Sequence, residues 1–165
     1  MHFAYLDASA LAKRYFPEVG TAAMDHVFRR IPPDRMILLP VGLAEVASIL
    51  VRKRNAGHLT TVQLHGVLTT MRTEVGAWSP LHIPFINDRL ADRAVDLVER
   101  HSINSTDAIL LRSALDHATR YRANGADLIL ITCDLRLLRA ARAESLASFN
   151  PETQPESDLD ALLGP

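Results

Sequence analysis

Cysteine and lysine are nearly absent: the 165 residues contain one cysteine, Cys133, and two lysines, Lys13 and Lys53. A single thiol excludes an internal disulfide and a cysteine-built zinc cluster. It fits a reducing compartment, so a cytoplasmic location is expected. The seven glycines form neither Gly-x-Gly-x-x-Gly nor a phosphate-binding P-loop, and no Gly-x-Ser-x-Gly elbow is present. The histidines show no His-Glu-x-x-His pair. Aromatic residues make up 5% of the chain, which argues against base-stacking platforms. No apolar run approaches the roughly 18 residues of a membrane span. Asp7, Lys13 and Arg14 interrupt the first segment too early for a secretory leader, so no membrane partner is expected.

What is present suffices for one core, with 48% hydrophobic and 22% charged positions. The net charge is −1, which argues neither for nor against a nucleic-acid partner. The distribution is uneven. Glu152, Glu156, Asp158 and Asp160 fall in the last sixteen residues with no basic residue, leaving 18 basic against 15 acidic residues over 1–149. The chain therefore divides into a mildly basic body, residues 1–150, and an acidic C-terminal tail, residues 151–165. The tail's three prolines and four acids predict mobility, with Leu159, Leu162 and Leu163 able to dock as a turn of helix.

Hydrophobic periodicity predicts strands at 2–6, 36–39, 81–85 and 128–132, with a further edge strand at 148–149. It predicts helices at 8–16, 21–30, 41–55, 88–101, 107–123 and a short one ending near Arg142. Residues 60–75 have apolar positions at helical spacing, but Gly66 and five threonines make a weak helix former. Ser105 or Thr106 is the expected N-cap of the helix that holds Asp107. Apolar strands alternating with helices predict an α/β fold, a parallel sheet covered on both faces.

In such sheets ligands gather beyond the carboxyl ends of the strands. Asp7 ends the first strand and Asp134 follows the last strong one, and either could simply cap the helix after it. Glu45 is the sole charge in residues 36–51, where an ionised carboxylate is costly unless it is paired, for instance with Arg52 or Arg54. Asp107 stands in the first turn of its helix, which the helix dipole favours in any protein. Together the four are isolated acids in apolar settings, at places a parallel fold can converge. Four such carboxylates would repel one another unless a cation sat among them. No lysine is placed to do so, which also excludes a phosphoacceptor receiver domain; Ser9 excludes the Asp-x-Asp of a haloacid-dehalogenase-type phosphatase. Oxygen-only ligation with open positions is the chemistry of Mg²⁺ or Mn²⁺ acting on phosphate esters.

The segments Tyr5-Leu6-Asp7-Ala8-Ser9-Ala10-Leu11, Leu43-Ala44-Glu45-Val46, Ser105-Thr106-Asp107-Ala108 and Ile131-Thr132-Cys133-Asp134 resemble, in order and spacing, the motifs of PIN-domain ribonucleases, and more narrowly VapC-type toxins of toxin–antitoxin systems. The resemblance covers about residues 2–150. It implies a PIN-like three-layer sandwich with a mostly parallel central sheet. It further implies a Mg²⁺-dependent endoribonuclease whose metal is held by Asp7, Glu45, Asp107 and Asp134, leaving 5′-phosphate and 3′-hydroxyl ends. Ser9 and Thr132 are placed to hydrogen-bond those carboxylates. Two extra acids, Asp116 and Asp127, compete for the fourth position; Asp127 precedes its strand, and Asp134 is preferred.

RNA phosphates would be met by Lys13 and Arg14 beyond Asp7, and by Arg52 and Lys53 beyond Glu45. The resemblance also implies a homodimer and a cognate antitoxin protein folding into a groove, for which helix 60–75 and the helix before it are candidates. The competing readings are a catalytically silent PIN-like domain that binds metal, RNA or protein, and a DNA-directed nuclease.

Overall fold

The structure is a computed structural model that describes residues 1–77 and 85–164. Four strands are described: β1 (His2–Leu6), β2 (Met36–Leu38), β3 (Asp127–Ile131) and β4 (Ala147–Phe149). All their pairings are parallel, in the order β2-β1-β3-β4. Eight helices accompany them: α1 (Ala8–Tyr15), α2 (Thr21–Arg30), α3 (Pro40–Asn55), α4 (Thr61–Gly76), α5 (Asp88–His101), α6 (Ser105–Arg122), α7 (Leu135–Ala143) and α8 (Glu156–Leu163), with a 3₁₀ turn at Pro33–Arg35. The strand predicted at 81–85 falls almost wholly outside the described residues.

Strand side chains alternate between two cores because successive residues point to opposite faces. Ala4, Leu6, Met36, Leu38, Ile129 and Ile131 face the core built with α1–α4 and α8. Phe3, Tyr5, Ile37, Leu128 and Leu130 face the other, built with α5, α6 and α7. Burial on both faces explains why β1 and β3 read as unbroken apolar runs rather than alternating ones. The result is the α/β three-layer sandwich.

The strand order reverses between β1 and β3, so the chain departs from these two neighbouring strands in opposite directions. Such a switch point leaves a crevice at their carboxyl ends. Asp7 and residues 132–134 lie there, and the Asp7 amide donates to the Ile131 carbonyl at 3.0 Å.

Several local expectations are corrected. The cap of α6 is Asn104, whose side chain accepts from the Asp107 amide at 2.9 Å. Three consecutive cap-forming residues made the start ambiguous, and the helix takes the earliest. The weak helix α4 is secured by a capping box in which Thr60 and Gln63 satisfy each other's backbone amides. Helix α3 is less buried than its apolar sequence predicts, with only Gly42, Val46 and Leu50 fully inside. Residues 156–163 form α8 in place of a mobile segment: Leu159 is fully buried, and the acids bind α2, with His26 bridging Glu156 at 3.2 Å and Asp160 at 3.0 Å while Arg30 meets Asp160 at 2.9 Å.

Candidate active site

Four elements deliver carboxylates to one pocket of about 440 Å³. Asp7 comes from the β1–α1 junction, Glu45 from the second turn of α3, Asp107 from the first turn of α6 and Asp134 from the β3–α7 junction; Ala8, Ser9, Ser48, Ile49 and Arg52 complete the described lining. The extra acids are used elsewhere. Asp116 binds Arg93 and Arg112, and Asp127 binds Arg122, so neither enters the pocket.

Asp7 is the most constrained. Its Oδ2 accepts from Ser9 Oγ in a very short bond, from Thr132 Oγ1 at 2.9 Å and from the Ser9 amide at 3.2 Å. The two hydroxyls are themselves held: Ser9 Oγ accepts from the Cys133 amide at 2.9 Å, and Thr132 Oγ1 accepts from the Asp134 amide at 3.0 Å. Both hydroxyl hydrogens are thereby directed at one carboxylate oxygen, and β1 is tied to the loop after β3. Burial raises the Asp7 pKa, although these hydrogen bonds favour its charged form.

Asp134 caps α7. Its Oδ1 accepts from the Arg136 and Leu137 amides at 2.7 and 3.1 Å, and its Oδ2 lies 4.0 Å from the Arg136 guanidinium. Asp134 thus both caps the helix and lines the pocket. Glu45 is half-buried and has no ion pair; neither Arg52 nor Arg54 reaches it among the described contacts. Its pKa is raised by burial and then by the charge of Asp7.

Asp107 is the most perturbed acid. Its Oδ2 is buried without a hydrogen-bond partner, and its pKa is raised to about 7, first by burial and then by the charges of Asp134, Asp7 and Glu45. An orphaned carboxylate oxygen facing three other acids lacks a positive counterpart. An oxygen-preferring divalent cation fits this donor set in kind, since it would supply the missing charge and a partner for that oxygen. Among the described residues no three acid, histidine or cysteine side chains already close into a metal cage. The carboxylates line the pocket at a looser spacing.

The four basic residues expected to meet phosphates separate sharply. Lys13 is a correction: only 3% exposed, it is locked between Glu18 at 2.9 Å and Glu152 at 2.6 Å. Burial disfavours its charge, but the bonds to Glu152 and Glu18 outweigh that and raise its pKa. It is a structural cation. Arg14 points away toward Asp25 and Glu74, its guanidinium 4.8 Å over the Phe28 ring. Lys53 pairs with Glu18 and lies over Phe16. Arg52 alone lines the acid pocket, and it has no acidic partner among the described residues. It also lines an adjoining groove of about 480 Å³ together with Ser9, Lys13, Glu18, Lys53, His58 and Cys133. The sequence did not reveal the relay through the Cys133 and Asp134 amides, because backbone donors carry no side-chain signal.

Three solved structures share this architecture. "Structure of FitAB bound to IR36 DNA fragment" aligns over 93% of this chain and 98% of its own, with TM-score 0.67 and 15% identity. FitAcB from Neisseria gonorrhoeae aligns over 92% and 100%, with TM-score 0.64 and 16% identity. A toxin–antitoxin complex from Klebsiella pneumoniae aligns over 90% and 97%, with TM-score 0.57 and 18% identity. At these identities the likeness is one of fold. No curated protein matches the chain significantly. The sequence model of the PIN domain, in contrast, matches residues 4–143, a span that contains every acid of the pocket, and on that ground the chain belongs to the PIN-domain family.

Proposed function

We propose that this protein is a divalent-metal-dependent endoribonuclease and the toxin half of a toxin–antitoxin pair. The observation that supports this best is the convergence of Asp7, Glu45, Asp107 and Asp134 on one pocket, with a buried Asp107 oxygen that no protein group satisfies. Asp7 and Asp107 would hold Mg²⁺ or Mn²⁺ most directly, with Glu45 beside them and Asp134 acting through its Oδ2, since its Oδ1 is used as a helix cap. When bound, the metal supplies Lewis-acid polarisation of the scissile phosphodiester and a water acidic enough to attack it at neutral pH.

The chain's own groups set up that chemistry. Ser9 and Thr132 fix Asp7 through Oδ2 and leave Oδ1 for ligation. Glu45, unpaired and with a raised pKa, is suited to take a proton from the attacking water. Arg52 stands at the rim where an RNA phosphate enters and fixes the register of the strand without reading sequence. The PIN family model, and the toxin–antitoxin complex among structures of the same fold, favour an antitoxin protein as partner; a homodimer and a cytoplasmic location belong to the same reading.

The test is cleavage of a structured RNA and a supercoiled plasmid, side by side, by wild type, Asp7→Asn and Asp107→Asn. RNA cutting that requires Mg²⁺ or Mn²⁺ and is lost in both variants is expected. EDTA-resistant cutting, full activity in both folded variants, or preferential cutting of the plasmid overturns the proposal.

A further inference from the structure

A larger cavity, of about 740 Å³, opens between α5 and α6 and is lined by none of the pocket acids. Arg89 and Arg93 reach it from one helix and Arg112 and Arg120 from the other, with Asp116 as the one acid in the lining among the described residues. Arg93 grips Asp116 through both terminal nitrogens at 2.8 and 2.9 Å, and Arg112 reaches the same carboxylate at 2.8 and 3.1 Å. One carboxylate thus orients two guanidinium forks, each with N–H donors to spare, because an arginine carries five. Arg89 and Arg120 are exposed and have no acidic partner among the described residues. At the mouth stands Phe85, 82% exposed and without a ring partner among the described residues.

We infer that this cavity is a second nucleic-acid site, which holds a single-stranded segment outside the acid pocket by its phosphates and by one base stacked on Phe85. Four arginines facing one acid leave an excess of positive charge that suits a polyanion, and fixed guanidinium forks match phosphate oxygens. An exposed ring beside a positive groove is the combination that single strands use, since every base offers a flat face. Scarce aromatics exclude an extended stacking platform, but one ring suffices for one base. The inference goes beyond the nuclease reading and does not need it, because it concerns binding away from the acids.

The experiment measures binding of a short fluorescent oligouridylate to the full chain in EDTA, where no metal-dependent cutting occurs, across a salt series. The proteins are wild type, Arg89→Gln/Arg120→Gln and Phe85→Ala, all at exposed positions, each first checked for an unchanged melting temperature. Two lost phosphate contacts should reduce the salt slope by about 1.4, at roughly 0.7 per phosphate for single strands. Loss of one stacked base should weaken binding about tenfold. A polyglutamate peptide of similar charge serves as competitor, and weak competition is expected. Absence of oligouridylate binding, an unchanged slope and affinity in the variants, or polyglutamate binding as tightly with no dependence on Phe85 overturns the inference; the last outcome assigns the cavity to an acidic protein partner. A failure of RNA cleavage by wild type leaves this readout intact.

Discussion

Replacing Asp107 by Asn should make the metal-free protein more stable. Asp107 has a folded pKa of about 7 against 3.8 for the free side chain, with burial as the first cause and three neighbouring acids behind it. Between those values the folded state binds the proton more tightly than the unfolded chain does. Its contribution to stability is therefore fully present below about pH 4 and is lost as pH rises through 7. About three pH units correspond to an upper limit of about 4 kcal/mol at pH 8. The group is only part-buried, and solvent and salt screen it, so about 1–2 kcal/mol is the realistic gain. Asn is nearly isosteric and, like the protonated acid, neutral. No hydrogen bond to the Asp107 carboxylate is forfeited, since its Oδ2 has no partner and the cap bond uses its amide. A chain of this size should melt about 3–6 °C higher as the variant at pH 8 in EDTA; the difference should be clearly smaller at pH 5 and vanish only below about pH 4. Mg²⁺ should raise the melting temperature of wild type much more than that of Asp107→Asn. A variant less stable than wild type at pH 8, or equal gains at both pH values, would refute the electrostatic picture of the site.

Lys13→Met should cost about 2–3 kcal/mol, below the 3–5 of a fully buried pair because Glu18 and Glu152 keep contact with water, and urea unfolding measures it; unchanged stability with lost RNA affinity would restore Lys13 as a phosphate contact. Thr132→Val removes one of the hydroxyls directed at Asp7 Oδ2 and should weaken Mg²⁺ binding about tenfold by calorimetry; an unaltered affinity would show that the relay does not orient the carboxylate. Arg52→Gln should raise KM for RNA with little change in kcat, and the opposite pattern would place Arg52 at the reacting phosphate. Leu159→Ala should cost about 2–4 kcal/mol and expose the C-terminal helix to protease; resistance equal to wild type would mean that the ion pairs with α2 alone hold it.

The architecture was legible where burial on both sheet faces wrote long apolar runs, as in residues 2–6 and 128–132, and the acids were legible because each stands alone in such a setting. The facing of the basic residues was not. Lys13 and Arg52 are both helix cations one to two turns beyond an acid of the pocket, yet the packing of α1 against α3 tucks Lys13 beneath Glu152 while Arg52 stays at the rim. That outcome depends on contacts between segments more than a hundred residues apart, which local pattern does not encode. The C-terminal acids look like a solvated segment until α2 presents His26 and Arg30 to them. The groove between α5 and α6 left a trace in the four-residue spacings of Arg89 with Arg93 and of Arg112, Asp116 and Arg120, readable only once the two helices are known to be neighbours.

The bond from Thr132 to Asp7 spans 125 positions of the chain, and β3, the strand beside β1, lies in its last quarter. During synthesis, which proceeds from the N-terminus, the first carboxylate leaves the ribosome long before the groups that orient it. A growing polypeptide of this kind has no assembled centre until its closing strands have emerged and slotted into place. A protein that cuts RNA would gain from that timing, because the messenger and the ribosome producing it are shielded from the product until β3 has emerged and paired with β1.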